Sequence, residues 1–269
     1  MAYLLLRGQL LADAIGNPHR IEAVLFDKDG TISISEPMLH ALASARVFHA
    51  RQLLQQRHPE LPASETDTLA DLLQRAYGLK EQAIHPAGAT AVGSRAHNLL
   101  STATALAQVG LGWPEALELS EAIFAATDGL HGQGSQQRPI ATEGLHELVE
   151  ALNAAGVACA VISNDDRAGI AAFLASQALS SRFHACWSAD HSPRKPDPAA
   201  VHALCSELGV PVERCALIGD ANSDLRMAEQ AGVPVVLGYG AGWSTPPPLD
   251  PCFPCLSHWR ELEVRTTAA

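Results

Sequence analysis

The strongest constraint on the fold is a rhythm in which short, continuous apolar runs alternate with segments of helical periodicity. Five such runs recur, at residues 21–27 ("IEAVLFD"), 156–163 ("GVACAVIS"), 183–190 ("FHACWSAD"), 214–220 ("RCALIGD") and 233–238 ("VPVVLG"). Runs with so little polar alternation suit strands covered on both faces, which is the condition of a parallel sheet. The segments between them carry helix start and stop signals. Asp166 opens one; Asp197, followed by Pro198 at the first helical position, opens a second that closes on Gly209; Ser223 opens a third that closes on Gly232. Strand and helix in this alternation predict an α/β fold with a doubly wound parallel sheet.

One interval breaks the rhythm. From Glu36 to about Arg138 only helical periodicity appears, over residues 37–56, 64–77, 94–110 and 113–127. Ser64 and Asp67 have the spacing of a capping box, and Pro114 suits a first helical turn. The joins "ISISE" (32–36) and "GLHGQGSQQRP" (129–139) are small and polar, and read as a two-strand hinge carrying an all-helical insertion. The expected organisation is a core of residues 1–35 and 136–269 with a helical cap of residues 36–135. Residues 3–24 read as a small hairpin leading into the first strand. The tail, 242–264, reads as a Pro-rich loop, a short strand and a short final helix begun by Ser257, with residues 265–269 frayed.

Charge and cysteine usage narrow the partners. A formal net charge of -11 argues against nucleic acid or an anionic membrane surface, both of which need basic patches. The opening "MAYLLLRGQLL" is too short an apolar run for a secretory segment, and no later stretch approaches a membrane span. Cys159, Cys186, Cys205 and Cys215 fall inside expected strands and helices, as small hydrophobes do, which points to a reduced, cytoplasmic protein. Cys252 and Cys255 form a lone C-x-x-C without a second pair, so a short edge strand is preferred to a zinc site there.

In open α/β sheets ligands bind beyond the carboxyl ends of the strands. The first run delivers Asp27 and Asp29 to that rim, the second Ser163 and Asn164, and the fourth Asp220 with Asp224 one helical turn on; Lys195 lies in the loop "SPRKPDP" after the third. Two acids one residue apart at a strand end cost repulsion and desolvation, which a cation or a reaction would offset. Carboxylates with water suit Mg²⁺. A carboxylate can also attack phosphorus to form an aspartyl-phosphate, and with an ordinary pKa of about 3.9 it is ionised at neutral pH. An extended backbone turns Asp27 and Asp29 to one face, where one can attack while the other handles the leaving-group proton. Each residue alone has a plain alternative: Asp220, Asn222 and Ser223 as helix caps, Asp224 as a first-turn acid, Ser163 as a cap, Lys195 as a solvated lysine. Their conjunction in a chain whose only lysines are Lys28, Lys80 and Lys195 favours a site. Lys28 is assigned no role.

These residues resemble the haloacid-dehalogenase-like superfamily of phosphatases. D-x-D-G-T stands as Asp27 to Thr31, the Ser after the second strand as Ser163, the Lys as Lys195, and G-D-x-x-x-D as Gly219-Asp220 to Asp224. The resemblance covers roughly residues 21–35 and 139–260. It implies a Rossmann-like core in which Asp27 is nucleophile and metal ligand, and Asp29 is general acid then base and lends its backbone carbonyl to the metal. It also implies that Ser163 and the backbone nearby, with Asn164, hold the phosphoryl group, that Lys195 neutralises nucleophile and phosphate, and that Asp220 binds Mg²⁺. Asp224 is then a further ligand or a support for Lys195, and Thr31 a turn and hinge residue. Dehalogenases of the superfamily lack the second acid, so Asp29 favours phosphate esters over halide displacement. The implied activity is Mg²⁺-dependent hydrolysis of a small phosphorylated metabolite, phosphoglycolate-phosphatase-like; a β-phosphoglucomutase-like mutase and a non-catalytic binding protein are the alternatives.

For substrate reading, "HPAGATAVGSRAHNLL" places Gly88, Gly93 and Arg95 at a helix entry, where backbone N–H groups and a guanidinium can meet an anion. Arg95, with His97 and Asn98, is the candidate specificity contact. The alternative is an arginine paired within the cap.

Overall fold

The computed structural model describes residues 1–13, 15–128 and 138–266. The chain divides into two compact units, Met1–Ile34 with Ile140–Ala269, and Ser35–Pro139.

The chain enters through β1 (Ala2–Leu6), β2 (Gln9–Leu10) and β3 (Arg20–Ile21), then β4 (Ala23–Phe26) and β5 (Ser33–Ile34). The helical segment follows as α1 (Glu36–Arg57), α2 (Ala63–Tyr77), the single turn α3 (Ala89–Val92), α4 (Arg95–Gln108) and α5 (Trp113–Asp128). The remainder runs β6 (Ile140–Ala141), α6 (Leu145–Ala154), β7 (Ala158–Ile162), α7 (Arg167–Ser176), β8 (Ala185–Trp187), α8 (Pro198–Leu208), β9 (Cys215–Gly219), α9 (Asn222–Gln230), β10 (Val235–Tyr239), β11 (Cys255–Leu256) and β12 (Leu262–Thr266).

Six of these strands form a sheet in the order β11-β10-β9-β4-β7-β8, parallel at every pairing. Because successive side chains of a strand point to opposite faces, each apolar run feeds two cores. Val24 and Phe26 join Cys159, Val161, Ala216 and Ile218 on the face packed by Leu148 and Leu152 of α6 and Ile170 and Phe173 of α7. Ala23 and Leu25 join Ala160, Ile162, Cys215 and Leu217 against Val201 and Leu204 of α8 and Met227 and Ala228 of α9. Burial of both faces is why the runs read as continuous hydrophobes.

The ends of the chain differ from expectation in part. β1 and β2 form the hairpin, but β3 also pairs with β1, and β12 pairs with it antiparallel from Ala2↔Thr266 to Leu6↔Leu262. The expected short helix is a single 3-10 turn, Trp259–Glu261, capped by His258, and the tail runs on from it into β12, which takes in Arg265 and Thr266; residues 267–269 of the expected frayed end lie outside the described residues. Ser257 caps nothing; its hydroxyl donates to Glu261 Oε1 at 2.7 Å. What draws the tail inward is Trp259, 1% exposed, stacked on Tyr239 at 4.2 Å and edge-on to Phe26 at 5.8 Å. Its indole donates to Thr142 Oγ1 at 2.8 Å.

β5 and β6 pair antiparallel through Ser33↔Ala141 and Ile34↔Ile140. Most of the second expected join, residues 129–137, lies outside the described residues, as does the expected boundary at 135/136. Within the helical unit, α2 begins at Ala63 behind Pro62 without a side-chain cap, so Ser64 is inside the helix and makes no capping box with Asp67. The capping box stands instead at Ser94 and His97, at the start of α4. In the other unit α9 starts at Asn222, one residue before the expected Ser223, with Ala221 at the cap.

Candidate active site

The site grows from the carboxyl ends of the three central strands. Asp27 follows β4 directly, and its N–H still donates into the ladder, to Ile218 O at 2.9 Å. Ser163 follows β7, with its N–H on Trp187 O at 2.8 Å, and Asp220 follows β9. These backbone bonds fix the side chains on rigid strand ends. Lys195 arrives from the loop after β8, steadied where the Trp187 indole donates to Pro193 O at 2.7 Å and His191 accepts from Ser188 N at 3.0 Å.

Lys195 is the hub. Its ammonium donates to Asp27 Oδ1 at 2.6 Å and Ile162 O at 3.2 Å, and lies 2.9 Å from Asp224 Oδ1. Asp27, Asp220 and Asp224 each place a carboxylate oxygen within 4.8 Å of the others, and all three are buried. Asp220 is held by neutral donors: Thr31 Oγ1 to Oδ1 at 3.0 Å and Trp243 Nε1 to Oδ2 at 2.6 Å.

The electrostatics of this cluster are unbalanced. Burial pushes the Asp27 carboxyl up to about 6, with Lys195 opposing and Asp224 and Asp29 adding to the rise. Burial, and then the charges of Asp27 and Asp224, raise Asp220 well above the carboxylate range. Burial alone would lower Lys195, but Asp224 and Asp27 outweigh it and hold the ammonium above its ordinary value. With all three carboxylates ionised, the one ammonium would leave two negative charges on this buried cluster, which one divalent cation would neutralise. All the donors are hard oxygens, the set that Mg²⁺ prefers. The residues therefore fit the metal that the motifs imply.

Asp29 stands in a second network. Lys28, 2% exposed, donates to Asp29 Oδ1 at 2.6 Å and lies 3.0 Å from Asp165 Oδ2, with its ammonium 5.8 Å from the Phe173 ring centre. Asp165 N in turn donates to Ser163 Oγ at 3.1 Å. Asn164 sits half-buried on the same turn. Lys28 thus points into the core unit and ties the D-x-D turn to the turn after β7.

Two glycines make these contacts possible. Gly30 has φ +82°, and a Cβ there would lie 2.0 Å from Trp243 Nε1 and 2.4 Å from Asp220 Oδ2. A Cβ on Gly242 would lie 1.8 Å from Gly30 O.

The helical unit corrects the reading of the 88–98 segment. The N–H groups of Gly88 and Gly93 donate to His85 O at 2.8 Å and Ala89 O at 2.9 Å, so neither is offered to an anion. Asn98, 3% exposed, donates to Ala89 O at 2.9 Å and Ser94 O at 3.0 Å, and His97 serves the capping box. Both side chains therefore make local hydrogen bonds within the helical unit. Arg95 donates to Asp128 Oδ2 at 2.7 Å, lies 3.5 Å from Glu121, and stands over Phe124 with its side chain half exposed. Cys255 lies in β11 at the sheet edge and Cys252 outside it, and all six cysteines are free thiols.

The haloacid dehalogenase-like hydrolase family matches residues 21–232, which spans the D-x-D turn, Lys195 and Asp224. The chain belongs to the haloacid dehalogenase-like hydrolases. A phosphoglycolate phosphatase of Pseudomonas savastanoi pv. phaseolicola is 34% identical over 38% of this chain and 39% of its own length, so the matched stretch spans about two fifths of that relative. The phosphoglycolate phosphatase of Yersinia pestis is 29% identical over 90% of this chain and 91% of its own. Among solved structures, a predicted phosphoglycolate phosphatase from Haemophilus somnus 129PT has a TM-score of 0.57 at 18% identity, covering 84% of this chain and 89% of that one, which is a likeness of fold. In this family member the residues that motif reading missed are Lys28, Asp165 and Trp243. Lys28 carried a faint signal, a lysine between two acids at a strand end; Trp243, in the run "GAGWS", carried none beyond its flanking glycine.

Proposed function

We propose that the chain is a phosphatase that hydrolyses a small phosphomonoester through an aspartyl-phosphate on Asp27. The observation that carries this reading is Lys195 bridging Asp27 and Asp224 beside Asp220, a buried acidic cluster at the ends of the central strands. Asp27, Asp220, Asp224 and the backbone carbonyl of Asp29 would hold Mg²⁺. Bound there, the metal would supply positive charge toward the phosphoryl oxygens.

The chain's own residues would do the rest. One Asp27 oxygen forms the bond to phosphorus while the bond to the leaving oxygen breaks, and Asp29 gives that oxygen its proton. Water then attacks the aspartyl-phosphate, Asp29 recovers a proton from it, and inorganic phosphate leaves with Asp27 restored. Lys195 orients Asp27 and offsets charge on the phosphoryl group. Ser163 and Asn164 would donate to the phosphoryl oxygens. Arg95 remains the proposed contact for an anionic group on the leaving half, with Asp128 as the partner it would exchange.

The names of the relatives make 2-phosphoglycolate the first substrate to try. The free thiols suit a reducing, cytoplasmic location, and among the described residues no helix is long and apolar enough to cross a membrane. The test is phosphate release from an aryl phosphate and from 2-phosphoglycolate, with Mg²⁺ and with chelator. Turnover that needs Mg²⁺ and falls at least ~10³-fold in Asp27→Asn supports the proposal. Turnover that survives Asp27→Asn overturns it.

A further inference from the structure

Asp220 differs from its two acidic neighbours in how it is held. Asp27 and Asp224 share the ammonium of Lys195, whereas Asp220 receives one neutral donor on each oxygen, the Thr31 hydroxyl and the Trp243 indole. An indole N–H can only donate, and it adds no charge. It can therefore fix a carboxylate oxygen in place while leaving the full negative charge for a cation. A lysine at the same point would compete with the cation.

The fold is built around this contact. Trp243 is 6% exposed, and its 2.6 Å bond to Oδ2 is among the shortest to any site carboxylate. The loop that carries it lies on the D-x-D-G-T turn so closely that neither Gly30 nor Gly242 has room for a Cβ. The ring thus closes the Asp220 side of the acidic cluster and also orients the acid.

We propose that Trp243 is a positioning residue for the metal: it locks the Asp220 carboxylate in the orientation that binds a divalent cation. The inference rests on the reading that Asp27, Asp220 and Asp224 form the metal site. Outer donors of this kind change metal affinity by about 10–100-fold when removed.

The experiment is direct calorimetric titration of the full chain with Mg²⁺ and with Mn²⁺, comparing the natural protein with Trp243→Phe, which keeps an aromatic ring and removes the donor. At least ~10-fold weaker binding of both ions by a folded variant is expected. Equal affinity in a folded variant, with the natural chain binding normally, overturns this inference alone. A natural chain that binds neither ion overturns the metal site and this inference with it. A second measurement needs no variant: the chain has four tryptophans, and one indole N–H resonance of the ¹⁵N-labelled natural protein must move as Mg²⁺ saturates the site. Saturation that moves none of them overturns the inference even if Trp243→Phe does not fold.

Discussion

The ammonium of Lys28 lies 2.6 Å from Oδ1 of Asp29, its neighbour in the chain, and 3.0 Å from Oδ2 of Asp165. A buried lysine thus separates two acids that would otherwise repel, and joins the turn after β4 to the turn after β7.

Removing that charge should be costly. Lys28→Met leaves Asp29 and Asp165 facing each other without a counter-charge, and breaking a buried pair costs about 3–5 kcal/mol. Asp29 and Asp165 are partly exposed, with side-chain accessibilities of 19% and 31%, so solvent screening brings the expected cost below that range, to about 2–3 kcal/mol. Urea unfolding measures it, and a loss under about 1 kcal/mol would contradict the account.

The acidic cluster predicts a pH signature. Burial raises Asp27 from 3.8 to about 6 in the fold, so the folded chain holds that proton more tightly than the unfolded chain does. Its contribution is stabilising below about pH 4 and is lost as pH rises through about 6. Asp220 shifts in the same direction. The metal-free protein should lose stability across this window, and Mg²⁺ should restore it. At 100 times its Kd, Mg²⁺ adds about 2.7 kcal/mol, several degrees of Tm for a chain of this size. The rise in Tm on Mg²⁺ addition should be larger at pH 7.5 than at pH 5; an equal rise at both would count against an ionised acidic site.

Trp259 tests what anchors the tail. Its ring stacks on Tyr239 and meets Phe26, so Trp259→Ala should cost about 3–5 kcal/mol through the cavity it leaves. Urea unfolding measures the loss, and a cost under about 1 kcal/mol would contradict the anchoring role.

Arg95 gives the specificity test. If its guanidinium reads the substrate, Arg95→Ala should raise KM for the best substrate about 10–100-fold, the worth of a charged hydrogen bond, and leave KM for an aryl phosphate with an uncharged leaving group nearly unchanged. A fall in Tm with no change in either KM would limit Arg95 to its pair with Asp128.

How much of this was readable from residue order depends on the range of the interaction. The parallel sheet was legible because both faces of β4, β7 and β9 are buried, which removes polar alternation from the strands themselves. Asp27, Lys195 and Asp220, which the fold brings together, could be nominated because an open α/β sheet presents its strand ends on one rim and because they occur in conjunction, though no one of them alone was decisive. The final strand was not legible. Leu262 and Val264 alternate with Glu263 and Arg265, a period of two too short to stand out from the loop before it, and the segment became β12 because β1 offered an edge and Trp259 a hydrophobic anchor.

The sequence by itself determined the alternation of strands and helices, the helical insertion and the acids at the strand ends, all of which follow from local periodicity and order along the chain. Only the tertiary structure decided the partners. Lys28 turned inward to Asp29 and Asp165, Asn98 was drawn onto loop carbonyls, and Trp243 reached Asp220 across 23 residues. The reason is physical: a buried charge or donor takes whichever complementary group the packed backbone brings within about 3 Å, and that proximity has no period in the chain.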